Sequence, residues 1–440
     1  MNKYAIFIAT IILFGVIPIW ADSATTTSDA IADTMKVAVD SATATGVVTT
    51  QSQSETGAAT DTIFPVTPQR RELLNKYSSF SFKWSLFYDF FQWALLLVIL
   101  FTGLSKRFLD IAEKVSGRKS VQFLMYILIL FVFLTVVSLP LDFFRDYIVE
   151  HNYSLSNQTV GAWFGDWAKA IPISYVMMAL AFGFIYFLIK RFPRRWWLVF
   201  SIGAIPFVIL MIVVAPVLIA PLFNDFKPLQ DQQLKTQLLD LASKAGIDGA
   251  DVFQVDASKQ SKKLNAYVTG LFSTKRIVLY DTIINAMTTD ELMFVMAHEM
   301  GHYVMNHVWI MVGMIIIIML ICTWIIAKFL PRIILKYSGR LGFSQMQSYA
   351  SMPFIMLAFS LIMFFIQPAT NSISRHFEYA SDKFGMEMTG YNGEAAATAF
   401  EKLSAYNLSD PNPGALREFW FYDHPALYKR IDFVKGYKGK

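Results

Sequence analysis

His298, Glu299 and His302 stand in the stretch "MAHEMGHYVMNH", residues 296–307, just before a long run of mostly apolar residues. Two histidines four positions apart project from one face of an α-helix, so both imidazoles can reach a single metal ion. Glu299 sits one step round that helix, where its carboxylate can take a proton from a water acidified by the same ion. The geometry suits zinc, whose Lewis acidity lowers the pKa of water toward ~7 and polarises a carbonyl for attack. Peptide-bond hydrolysis is the chemistry this pattern points to. A catalytic zinc takes three protein ligands and leaves a fourth position open. Glu378, in "SRHFEYASDKFG", is the candidate third ligand, and Asp382, four residues on, is placed to orient a ligating imidazole from behind.

These residues need elements to hold them. Thr288 followed by Glu291 is a capping-box pattern, and it opens the helix that carries both histidines. The segment "NAYVTGLFSTKRIVLYD" reads as two short strands, Ala266 to Val268 and Arg276 to Tyr280, joined by a Gly/Ser/Thr turn and followed by a helix. An exposed strand edge beside a metal site can hold an extended peptide through backbone hydrogen bonds, with Asn265 and Ala266 on that edge. A purely structural hairpin is the competing reading. Of the remaining histidines, His307 is five places from His302 and is expected on a different helix face. His376 likewise faces away from Glu378, and His151 is a surface residue. His424, in "FYDHPALYKRI", either donates to the oxyanion of a tetrahedral intermediate or serves an ordinary capping or surface role.

Composition sets the setting. The 440 residues are 55% hydrophobic and only 16% charged, with a mean hydropathy of +0.43, too apolar for an ordinary soluble protein. A polytopic membrane protein is expected. The net charge of +5 lies mostly in short loops between apolar runs, so it speaks for orientation in a bilayer and not for a nucleic-acid partner. Cys322 is the single cysteine and lies inside an apolar run, so it forms no intrachain disulfide and completes no metal cluster.

Residues 1–21 read as a secretory signal peptide, or as an uncleaved signal anchor, and residues 22–80 as a Ser/Thr-rich disordered tether. Four spans are expected within 81–220: Leu86 to Leu104, Val121 to Leu139, Pro172 to Ile189 and Trp196 to Ala220. Pro206 and Pro216 should kink or break the fourth. The polar insert 221–307 carries the zinc helix. A transmembrane hairpin, 308–370, contains the spans Val308 to Leu330 and Ser351 to Pro368, and 371–440 supplies the third ligand and the rest of the catalytic domain. An even number of crossings between His302 and Glu378 returns the chain to the side it left.

Loop charge then assigns the sides. The connections after the first, third and fifth spans hold Lys106, Arg107, Lys114, Arg118, Lys119, then Lys190, Arg191, Arg194, Arg195, then Lys328, Arg332, Lys336, Arg340, opposed by Asp110 and Glu113. Those loops belong in the cytoplasm. The loop with Asp142, Asp146, Glu150 and Asp166 lies opposite, together with the catalytic domain, which is therefore expected on the periplasmic face of a bacterial inner membrane.

"HEMGH", "EYASD" and "HPALYKRI", with "LPLDFF" and "APLFNDFKPL", resemble the M48 peptidases, and within them the Ste24 type, CAAX prenyl protease 1. The resemblance covers about Phe80 to Val434. It implies one zinc held by His298, His302 and Glu378, with Glu299 as general base and acid, Asp382 behind the ligands and His424 close to the substrate. It also implies an all-helical barrel of about seven transmembrane helices around a water-filled chamber, with a small α+β gluzincin-type domain. Family processing of prenylated proteins is cytosolic, whereas the loop charges place this domain outside, so the reaction carries over and the substrate does not. The expected function is that of an integral-membrane zinc metalloendopeptidase acting on peptides or membrane-associated proteins. Two other readings are a protease for quality control of membrane proteins and a non-catalytic zinc-binding transporter or scaffold. The last needs a fourth protein ligand from His376 or His424.

Overall fold

The computed structural model describes residues 63–270 and 275–439. The expected signal segment, most of the tether and the Gly/Ser/Thr turn of the hairpin lie outside the described residues. Among the described residues, six helices are long and apolar enough to cross a membrane, and each overlaps one of the expected spans, the first ending at Phe101 and so short of the expected Leu104. In chain order they are α1 (Pro68–Phe101), α3 (Lys119–Phe143), α4 (Val160–Arg191), α5 (Trp196–Val214), α9 (His307–Lys336) and α10 (Met352–Met388). A short amphipathic helix, α2 (Leu104–Val115), joins the first two.

The tether ends earlier than expected. Thr67 caps α1 through a hydrogen bond from the Arg70 N–H, and Pro68 occupies the first turn. Residues 68–80, assigned to the tether from sequence, are thus more than three turns of helix that bury Arg70, Leu74, Tyr77 and Ser78. Arg70 donates through Nε and Nη2 to the Ala405 carbonyl, so the chain is pinned to the distant C-terminal region before it enters the apolar part of α1. The Pro216 expectation has a physical counterpart: α5 gives way at Ala215 to one π turn and then a 3-10 turn ending at Leu222. A proline removes one backbone donor, and the widened turn absorbs the missing bond.

The helices are packed by apolar faces and stitched by a few polar side chains. Trp93 Nε1 donates to Ser360 Oγ, Ser105 Oγ to the Ala350 carbonyl, and Tyr186 pairs with Ser351. Phe365, Leu335, Leu218 and Phe187 remain among the most exposed large apolar residues. Apolar residues on the outside of apolar helices face hydrocarbon, not water. Cys322 is fully buried against Met363, a packing role.

The polar insert and the C-terminal region form one small α+β unit. Its four-stranded sheet is built from β1 (Phe226–Pro228), β2 (Asp251–Val255), β3 (Ala266–Thr269) and β4 (Arg276–Tyr280). The spatial order is β1-β2-β4-β3, with β2 and β4 parallel and the outer pairings antiparallel. Around it lie α6 (Gln232–Lys244), α7 (Asp281–Ala286), α8 (Thr289–Val304), α11 (Gly393–Asn407), α12 (Ala415–Phe421) and α13 (Leu427–Gly436). Both expected strands are present, and β3 is an edge.

Candidate active site

The helix that carries the two histidines is fixed at its start. Thr288 Oγ1 accepts from the Glu291 N–H and Glu291 Oε2 accepts from the Thr288 N–H, a complete capping box. Lys402, from α11, donates to the same carboxylate at 2.7 Å and to the Ala286 carbonyl at 3.0 Å. The C-terminal half of α8 then packs closely against α10, with a glycine of each helix at the contact. A Cβ on Gly385 would lie 3.1 Å from the Phe294 ring and 3.3 Å from the His298 backbone nitrogen, and one on Gly301 would lie 3.2 Å from the Phe384 ring. That approach brings the carboxylate of α10 up to the imidazoles of α8.

His298 Nε2 and His302 Nε2 are 3.1 Å apart. Glu378 Oε2 lies 3.4 Å from the first and Glu378 Oε1 lies 3.3 Å from the second. Among the described residues, these three supply donor atoms within 4.8 Å of one another, two imidazole nitrogens and one carboxylate, a set of ligands suited to zinc. The residues fit such an ion for a second reason. Two imidazole nitrogens converge on one point, and Glu378 Oε2 is buried without a hydrogen bond, its 3.1 Å contact with Arg430 Nη1 being an ion pair off the hydrogen-bond line. Glu299, half-buried, follows His298 on the same helix.

Asp382 stands behind His298, with Oδ1 at 2.9 Å from Nδ1. The imidazole therefore donates from Nδ1 and turns Nε2 toward Glu378. Burial opposes charge on this ring, but Asp382 and Glu378 outweigh it and raise its pKa to about 9. Arg430, from α13, grips Asp382 from the far side through Nε to Oδ2 at 2.8 Å and Nη2 to Oδ1 at 2.6 Å. Its pKa is raised because those carboxylates outweigh the cost of burying it. The sequence reading did not single out Arg430. Its only signal was a basic residue six positions after His424 in a polar tail.

His424 lies on the rim, half-buried, with Nε2 at 3.2 Å from Glu378 Oε1 and Nδ1 at 2.8 Å from Asp423 Oδ1. Burial lowers its pKa and the Glu378 and Asp423 carboxylates raise it, with a net upward shift. The segment carrying it is clamped by α10: Asn371 donates to the Trp420 carbonyl, and Arg375 Nη1 to the carbonyls of Glu418 and Tyr422. His376 is not in the convergent group.

The expectation for His307 was wrong. The helix stops at Val304, and Asn306, with φ 60°, turns the chain through a left-handed conformation before α9 starts. Five-residue spacing therefore no longer means different faces of one helix. His307 is buried, stacks on Phe377 with ring centroids 4.2 Å apart, and places Nδ1 3.1 Å from His302 Nδ1.

Ala266 begins the edge strand, which packs against α8. The Asn265 carbonyl accepts from the Tyr280 N–H at 3.1 Å. Hydrogen-bonded pairs alternate along an antiparallel ladder, so with Ala266 opposite Leu279 the backbone groups of Ala266 and Val268 point away from β4 to the open edge. The approach to this strand is anchored. Asn407 bonds both backbone groups of Leu264, and Lys263 reaches Tyr77 at 2.8 Å and Glu150 at 3.1 Å on the membrane helices.

The profile of peptidase family M48 matches residues 228–438, and that of the CAAX prenyl protease N-terminal region, five membrane helices, matches residues 66–225. The chain is 35% identical to an uncharacterized metalloprotease, YhfN, of Bacillus subtilis, over 78% of this chain and 80% of that protein. It is 32% identical to CAAX prenyl protease 1 of Saccharomyces cerevisiae, over 69% and 70% respectively. The crystal structure of S. mikatae Ste24p superposes with a TM-score of 0.74 at 27% identity, covering 83% of this chain and 88% of that one.

Proposed function

We propose a function from one premise: the chain belongs to peptidase family M48. It is an integral, multi-pass membrane metallopeptidase. The finer reading is an endopeptidase that uses one zinc ion per chain, held by His298, His302 and Glu378, and acts on peptides or membrane-associated proteins from the periplasmic side. The observation that carries it is the convergence of two imidazole nitrogens and a carboxylate within 4.8 Å, with the Glu299 carboxylate one residue along the same helix. When bound, the ion supplies Lewis acidity, polarising the scissile carbonyl and acidifying water.

The remaining work belongs to the chain. Glu299 takes the proton from the attacking water and passes it to the departing amine. His424, held by Asp423 and biased toward its protonated form, donates to the oxygen that gains charge as the carbonyl becomes tetrahedral. The outward-facing backbone groups of Ala266 and Val268 take the substrate as an added strand, and Asn265 fixes the register at the start of that strand. Asp382 and Arg430 hold the metal-binding face of His298 rigid.

Glu299→Ala tests the assignment. The purified variant should retain its metal and lose cleavage by roughly 10²-fold or more, as removal of a general base does. Undiminished cleavage would overturn the mechanism. A closed, non-catalytic site would need a fourth protein ligand, and X-ray absorption showing three protein donors plus water excludes it.

A further inference from the structure

Among the described residues, no carboxylate stands behind His302 as Asp382 stands behind His298. With His302 Nε2 turned toward His298 and Glu378, the nitrogen on the opposite side of its ring faces His307 Nδ1 at 3.1 Å. Two ring nitrogens at that separation share one hydrogen, so one donates and the other accepts. If His302 binds a cation through Nε2, its own Nδ1 carries the hydrogen, and His307 must present a bare Nδ1. The geometry points to His307 as a positioning residue that accepts the Nδ1–H of His302 and holds that ring in its Nε2-ligating tautomer. The inference rests on the proposal that His302 is a metal ligand.

Three features make His307 a built partner and not a passing neighbour. It is the first residue of α9, and the left-handed Asn306 re-aims it at His302. Its ring lies nearly parallel to Phe377, at 14°, so the plane is fixed by the residue that precedes Glu378. It is buried, so water does not compete for its nitrogen. One small aromatic stack thereby ties together a ligand of α8, the residue before the ligand of α10 and the start of a transmembrane helix. The two imidazoles are held unequally, His298 by a charged carboxylate backed by an arginine and His302 by a neutral ring. A hydrogen bond to a charged acceptor is the stronger of the two, so His302 is the ligand whose orientation is easier to lose.

The test uses the purified full-length protein and zinc, competed against a chelator of known affinity. His307→Phe keeps the stack on Phe377 and removes the acceptor. His307→Asn places an amide oxygen close to where Nδ1 stood. Loss of a partner behind a metal-ligating histidine lowers affinity about 10–100-fold. The Phe variant should show that loss together with faster zinc release, and the Asn variant should recover to within about threefold of the parent. Parent-like affinity in the Phe variant, or equal loss in both, overturns the proposal.

Imidazole ¹⁵N spectra of the zinc-loaded parent give an answer independent of either variant's folding. A protonated Nδ1 on His302 and an unprotonated Nδ1 on His307 are expected, and the reverse assignment is fatal. His302→Ala is measured alongside. If it still binds zinc like the parent, the ligand assignment itself fails; if it does not, only the role of His307 is at stake.

Discussion

At Arg430 one guanidinium is shared by two buried carboxylates, those of Asp382 and Glu378. Removing one partner from a buried charge cluster leaves the others desolvated and unpaired, which costs about 3–5 kcal/mol. Arg430→Met, which keeps the volume and drops the charge, should destabilise the metal-free protein by that amount. A thermal midpoint within about 2 °C of the parent would contradict it. His298 carries a second prediction. In the metal-free protein its pKa is raised to about 9, so at neutral pH the ring is protonated and a cation must displace that proton. Zinc affinity should therefore fall as pH drops below about 9, by roughly tenfold per pH unit while one proton is exchanged. Calorimetry in buffers of different ionisation enthalpy counts the released protons, and a pH-independent affinity would show that His298 is neutral before metal arrives.

At the scale of elements, the site depends on how closely α8 and α10 approach. Gly385 has the His298 backbone nitrogen and the Phe294 ring at contact distance from where a Cβ would stand. Gly385→Val should force the helices apart, destabilise by about 1–3 kcal/mol and lower zinc affinity, because Glu378 is carried away with α10. Unchanged metal affinity in a folded Gly385→Val protein would mean that ligand convergence does not depend on this contact. This layer also separates what the sequence disclosed from what it withheld. Helical periodicity put His298 and His302 on one face with Glu299 one step round, and parity of crossings returned Glu378 to their side, because both follow from the order and spacing of residues along the chain. The early start of α1 was hidden, since residues 68–80 lack an apolar run and their helix is secured by contacts such as Arg70 with Ala405, 335 residues away. His307 was misread because the fixed angle per residue fails wherever one residue turns left-handed. Arg430 was invisible because its partners lie 48 and 52 positions upstream, and a lone arginine has no spacing to interpret.

For the whole molecule the open quantity is which side of the bilayer the site faces, and the argument is one of charge. The segments that lead from the ends of α1, α4 and α9 to the next spans carry thirteen basic residues against Asp110 and Glu113, and short basic loops are retained in the cytoplasm. Each side of the membrane can be probed by a single thiol, because Cys322, the one native cysteine, is fully buried and gives little background. Lys244 at the end of α6 and Arg340 beyond α9 are both exposed, on the catalytic and the basic side respectively. In intact cells Lys244→Cys should react with a membrane-impermeant maleimide, and Arg340→Cys only after the inner membrane is opened. The reverse pattern would place the catalytic domain in the cytoplasm and require the thirteen basic residues to have crossed the membrane against their usual bias. That result would also restore cytosolic proteins as candidate substrates, so the same two labels decide both the orientation and the compartment from which substrates come.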